Sequence, residues 1–147
     1  MTQPNICVVA PTVRNPEFIR EYVANARAND FDTDRLHVVL VTEDFCEKER
    51  MREMIDELGV AGEVFGGTER DTWYERAGIG GYSDVVPAAS HAETSFGLLY
   101  LWANPRFEYG VFLDDDTRPH GDFDFFGTHL SHLGSRKTVE HVSSDER

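Results

Sequence analysis

Two short apolar runs constrain this chain most: "NICVVA" at residues 5–10 and "LHVVLV" at 36–41. A strand that is apolar on both faces is buried on both, and such strands belong to parallel sheets covered by helices. Each run is followed by a segment of helical period. After the first, Phe18, Ile19, Tyr22, Val23 and Ala26 recur at three and four residues and form one face of a helix reaching about Asn29. Asn15 is placed to cap that helix, with Pro16 at its first position. After the second, "CEKERMREMIDEL" at 46–58 sets Met51, Ile55 and Leu58 toward a sheet and its charges toward water, and Gly59 stops it. "EVFGG" holds a short third strand. The alternation predicts an α/β domain: a mostly parallel, three-layer, Rossmann-like sheet with right-handed crossovers.

The rhythm then breaks. Residues 66–89 carry glycines, aromatics and charges without a stable period, which marks a functional or disordered loop. Trp73, Tyr74 and Tyr82 in it either stack on a ligand ring or pin the loop to the core. Ser90 and Glu93 spell an S-x-x-E capping box ahead of a helix through Phe96, Leu99, Tyr100 and Ala103. "YGVFL" at 109–113 is expected as a buried strand, and residues 124–134 as a short helix stopped by Gly134. Residues 1–134 therefore form the domain. The polar stretch 135–147 is a tail or the start of a missing C-terminal half, so the chain is expected to be a piece of something longer.

A length of 147 residues suits one core. The 27 acids against 14 bases leave a charge of −13, the wrong sign for nucleic-acid binding. The same acidity suits a surface bathed in concentrated salt. No run of 18 apolar residues predicts a membrane span. The start lacks a basic, apolar leader, which predicts a cytoplasmic protein. Cys7 and Cys46 make neither a disulfide framework nor a metal spacing.

"FLDDDTRP" at 112–119 is the stretch that carries chemistry. Side chains alternate along a strand, so Asp114 and Asp116 are expected on one side and Asp115 on the other. Two carboxylates at the carboxyl end of a strand suit a hard cation, Mg²⁺ or Mn²⁺, which binds oxygens and bridges to phosphates. Open α/β sheets bind ligands at that edge. An acid-rich surface turn would look the same. No G-x-x-x-x-G-K-[ST] or G-x-G-x-x-G motif is present, and the acid order fits neither a haloacid-type phosphatase nor a receiver domain.

"APTVRNPEFI" and "FLDDDTRP", about a hundred residues apart, resemble the reversibly glycosylated polypeptides. That family includes plant UDP-arabinopyranose mutases and proteins described as alpha-1,4-glucan-protein synthases, and it is similar in turn to the GT-A glycosyltransferases with their D-x-D motif. Pro11, Thr12, Val13, Arg14 and Asn15 match the family's P-T-[IV]-R-N opening. Glu43 and Asp44 match its acidic turn after the second strand, and Asp114, Asp115 and Asp116 its triple aspartate. The resemblance spans the N-terminal half of a family member; the arginine that receives the sugar in plant members has no counterpart here.

The resemblance implies a GT-A nucleotide-diphosphosugar-binding sheet with Mn²⁺ or Mg²⁺ as cofactor. A UDP-sugar is the favoured partner, the acceptor is unknown, and a homo-oligomer is expected because the family forms assemblies. Asp114 and Asp116 would hold the metal. Thr12, Arg14, Asn15, Glu43, Asp44 and Asp115 would line the nucleotide site, with Glu43 or Asp44 accepting the uracil imide proton. Asp116 and Arg118 are the catalytic candidates, Arg118 either stabilising a departing diphosphate or neutralising the acids. The expected activity is metal-dependent glycosyl transfer or sugar-nucleotide mutation. A non-catalytic nucleotide-sugar-binding module and a nucleotidyltransferase are the alternatives.

Overall fold

The computed structural model describes residues 3–87 and 93–133. Four strands, β1 (Ile6–Pro11), β2 (Leu36–Val41), β3 (Ala61–Phe65) and β4 (Tyr109–Phe112), make one parallel sheet in the order β3-β2-β1-β4. Five helices surround it: α1 (Phe18–Ala28), α2 (Lys48–Leu58), α3 (Gly67–Arg76), α4 (Glu93–Ala103) and α5 (Phe125–Leu133). Alternate strand residues supply two cores. Ile6, Val8, Ala10, Val38 and Leu40 meet α1, α2 and α5, while Cys7, Val9, Val39 and Val41 meet α3 and α4. This is the three-layer α/β architecture that the apolar runs predict. No helix among the described residues is long and apolar enough to cross a membrane. Burial pushes the Cys7 thiol up to about 12, so it is a small core residue and not a nucleophile.

The chain steps outward from β1 to β2 to β3, then returns to lay β4 on the other side of β1. The direction of winding reverses between β1 and β4, the switch point at whose carboxyl ends open α/β sheets generally form a ligand crevice.

Three expectations change, and a fourth point, left open between two readings, is decided. First, residues 66–89 are not a loop throughout: α3 occupies Gly67–Arg76, and a 3-10 segment spans Gly80–Val85. Its inward residues are Arg70 and Tyr74, so α3 has no apolar stripe to read. Second, Asn15 does not cap α1. The helix begins at Phe18 after a turn in which Ile19 N–H donates to Pro16 O and Arg20 N–H to Glu17 O, each 3.0 Å long. Third, β4 is not buried. It pairs only with β1 among the described residues, and Phe112 is 38% exposed. Fourth, Trp73 and Tyr74 pin α3 to the core: the Trp73 ring lies 5.2 Å from Phe96 and 6.0 Å from Tyr100. Tyr82 alone of the three is exposed. Ser90 and Gly134, read as a cap and a stop, and the stretch 135–147 lie outside the described residues.

Gly97 lets α4 approach the sheet. A Cβ there would overlap Cγ1 of the fully buried Val9. Alanine in place of glycine should gain about 1 kcal/mol of helix propensity. Forced overpacking costs about 1–3 kcal/mol, so Gly97→Ala is expected to lower the urea midpoint.

At the other end of α4, the Tyr100 hydroxyl donates to Glu63 Oε2 and lies 3.1 Å from His37 Nε2, itself 3.3 Å from Glu63. The His37 bond, aided by Tyr100, holds the Glu63 carboxyl below its usual range. A depressed carboxyl contributes stability above its unfolded value and loses it as pH falls through the folded one. Tyr100→Phe should therefore cost roughly 1–2 kcal/mol at neutral pH and less in acid, as thermal melts at pH 7 and pH 3.5 would register.

Candidate functional site

The switch point between β1 and β4 is built from the two stretches the sequence singles out. Past β1 the chain turns at Thr12, which is buried, with Arg14 and Asn15 exposed. Thr12 Oγ1 accepts from Arg14 N–H at 3.0 Å, an ST-type turn that fixes the arginine's backbone. Past β4, the Leu113 N–H still donates to Val9 O, and the chain then folds into a turn in which Thr117 N–H donates to Asp114 O. The Thr117 hydroxyl donates to the same carbonyl at 2.7 Å, and Tyr22 OH on α1 donates to Thr117 Oγ1 at 3.1 Å.

Thr12 Oγ1 donates to Asp115 Oδ2 at 3.0 Å, and Arg14 Nη1 lies 4.0 Å from Asp115 Oδ1. Residues 103 positions apart thus meet at the reversal point. The carboxylate that makes this contact is Asp115, with a side chain 22% exposed. Asp114 and Asp116 are exposed. The alternation expected for a strand survives in a turn: one aspartate faces the protein and two face water.

Those two are oxygen donors open to solution, the chemistry a hard cation uses. Among the described residues no three histidine, cysteine or acidic side chains gather into a metal cluster. A cation here would take Asp114 and Asp116 and complete its shell from water and phosphate, the usual habit of Mg²⁺. His120, near enough in sequence to add a ligand, is exposed.

Arg118 is tied elsewhere. Its Nε donates to Glu21 Oε1 at 2.8 Å, its Nη1 to the carbonyls of Asp115 and Thr117, and it lies 5.7 Å from the Phe18 ring centroid. It fastens the aspartate turn to α1.

The two acids after β2 separate. Asp44 is the remote cap of α3: it accepts from Thr68 N–H at 3.1 Å, from Thr68 Oγ1 and from Lys48 Nζ. The Lys48 bond, with those from Thr68, holds its carboxyl below the ordinary range. Glu43 points into the protein and is paired with Arg70. Sequence reasoning missed Arg70 and gave Glu93 chiefly a capping role. An arginine on a helix without apolar period carries no signal of burial. A recess of about 270 Å³ beside the switch point is lined by Val13, Arg14, Asn15, Phe45 and Arg50. A larger one, about 460 Å³, follows the free edge of β3, away from the aspartate turn.

The fold is that of an α/β protein whose strand order reverses beside β1, with Thr12 and Asp115 meeting past the carboxyl ends of β1 and β4. No protein-family model matches the chain, and no curated protein is similar to it at a significant level.

Proposed function

We propose that this chain binds a nucleotide diphosphosugar, UDP-linked by resemblance, in the crevice between β1 and β4, and acts as a glycosyltransferase or sugar-nucleotide mutase. The observation that carries the proposal is the Thr12–Asp115 hydrogen bond. It brings the P-T-V-R-N opening and the triple aspartate to one place at the switch point of an open parallel sheet.

In this reading Asp115 anchors the aspartate turn to β1, leaving Asp114 and Asp116 to hold Mn²⁺ or Mg²⁺. The cation supplies charge neutralisation for a diphosphate. Arg14, with a side chain 74% exposed, is free to swing from its long contact with Asp115 to a phosphate oxygen. Asn15 and the neighbouring recess extend the surface that a nucleoside would meet. Both acids after β2 are engaged with protein groups, so nucleotide binding here does not depend on either. Arg118 is held by Glu21 and two carbonyls, so leaving-group stabilisation falls to Arg14. That observation favours a second reading, a nucleotide-sugar-binding module without catalysis. A cytoplasmic setting and a homo-oligomer, with an acceptor of unknown kind, complete the proposal.

Titration calorimetry with UDP in Mn²⁺ and in EDTA tests it. Binding should require the cation, and Asp116→Asn should remove the cation-dependent part. UDP binding that persists unchanged in EDTA, or in Asp116→Asn, sinks the metal assignment. Hydrolysis of a UDP-sugar by the wild-type chain would separate enzyme from binder.

A further inference from the structure

β4 is an edge strand with an unused side. Leu113 N–H donates to Val9 O and Tyr109 N–H to Asn5 O, so Tyr109, Val111 and Leu113 turn their backbone groups toward β1. That direction alternates along a strand, which turns the N–H and C=O groups of Gly110 and Phe112 outward. Among the described residues no second strand lies beside them. Such a ladder is a template for one more strand. The helix next to it is equally uncovered. α4, "ETSFGLLYLWA", has one charged residue, Glu93, and that residue is buried. A helix apolar all round belongs in an interior, yet Leu98 is 57% exposed and Trp102 77%. Leu101, three residues past Leu98, reaches within 2.5 Å of where a Gly110 Cβ would stand, and the Phe112 ring lies against Gly97. The apolar surface thus runs from the strand edge onto the outer face of α4.

The shape of that edge says what covers it. Gly110 and Phe112 stand on the α4 face of β4, one without a side chain and one with a ring. Consider two β4 edges paired antiparallel about a two-fold axis at Val111. Each Phe112 then falls opposite the partner's Gly110, and these are the residues whose backbone groups point outward, so each pair exchanges N–H···O=C bonds. The ring fills the space that the glycine leaves, which is how aromatic residues cover edge glycines. The two Phe112 rings become diagonal neighbours within reach of each other. The edge is therefore complementary to itself, as an isologous interface requires. We propose that β4 and the outer face of α4 bind a second copy of this chain, joining two four-stranded sheets into one.

Charge and area set the strength of this pairing. Each copy carries −13, and the register places the exposed Glu108 of one copy opposite the exposed Asp114 of the other. Like charges facing across strands repel. A four-residue strand edge with Leu98, Trp102 and Phe112 beside it is a smaller contact than the standard of about 800 Å² per partner. The dimer is therefore reversible. It forms at high protein concentration and is tightened by salt, which screens the acids. In dilute solution it is absent, and unfolding there reports the single chain. The dimer is independent of nucleotide binding.

The test is sedimentation velocity of the full chain, without nucleotide or divalent metal, from about 1 to about 300 μM protein in about 0.1 M and about 1 M salt. A monomer–dimer shift is expected, at lower protein concentration in the higher salt. Leu98→Glu sets a charge inside the contact. Phe112→Pro removes the ring and the outward N–H and leaves the β1–β4 bonds in place. Each should raise the dissociation constant about tenfold or more, with unchanged circular dichroism. Val111→Cys, in a Cys46→Ser background, should give a disulfide-linked dimer on mild oxidation, because facing residues at the axis lie about 4.5 Å apart at Cα. A chain that stays monomeric throughout overturns the proposal. So does a dimer that Leu98→Glu and Phe112→Pro both leave intact. If Phe112→Pro fails to fold, Val111→Cys decides, and absence of the cross-link overturns the edge pairing.

Discussion

Replacing Arg70 with methionine is expected to cost about 3–5 kcal/mol at pH 8, the usual penalty for stranding a buried charge. Methionine fills much the same volume, so lost packing is a minor part of that figure. The guanidinium pairs with Glu43, and Glu43, Arg70 and Glu93 are all enclosed. Domains of this size are stable by about 5–15 kcal/mol, so the variant should sit close to unfolding in dilute buffer. The damage should shrink at pH 5, because the two carboxyls can then take up protons and need no counter-charge. Urea denaturation at both pH values checks this. A loss of equal size at pH 5 and pH 8 would mean that Arg70 serves by packing and not by charge.

Phe96→Ala should be nearly as costly, by about 3–5 kcal/mol, and without that pH dependence. Phe96 is fully buried, with ring centroids of Phe65 at 4.9 Å, Trp73 at 5.2 Å and Tyr74 at 5.8 Å. These rings come from β3, α3 and α4, so one truncation opens a void where three elements meet. Trp73 emission should shift to the red as water reaches the indole. Trp102→Ala, on the exposed side of the same helix, is the control and should stay within about 0.5 kcal/mol of wild type. A cost for Phe96→Ala no greater than for that control would show that the aromatic cluster does not hold α3 in place.

The two predictions rest on residues of different legibility. Phe96 lies on a helix whose apolar period could be read, although its partners could not. Arg70 lies on a helix that could not be read at all. The segment "GTERDTWYER" turns Arg70 and Tyr74 inward, and neither follows an apolar pattern. Its start is fixed from outside, by Asp44 accepting from Thr68 across 24 positions of chain and by Lys48 bridging Asp44 to Glu69. Local propensity carries no trace of a cap supplied from that distance.

The aspartate turn divides in the same way. Three carboxylates at the end of a strand, and the partition of one against two, were legible from residue order. That the single inward carboxylate meets Thr12 depends on β4 lying beside β1 and not beyond β3, a choice of strand order that no short window encodes.

By itself the sequence determined what is local and periodic: the largely apolar strands β1 and β2, the faces of α1 and α2, the stop at Gly59 and the α/β class that follows. Solvent exclusion acts on each of these through its own spacing of side chains, so the spacing can be read. Tertiary structure alone decided the strand order, the existence of α3, the burial of Glu43, Arg70 and Glu93 together, and the meeting of Thr12 with Asp115. Each of those depends on groups that become neighbours only when distant segments pack. The energies involved, desolvation and charge pairing, have no value until the neighbours are in place.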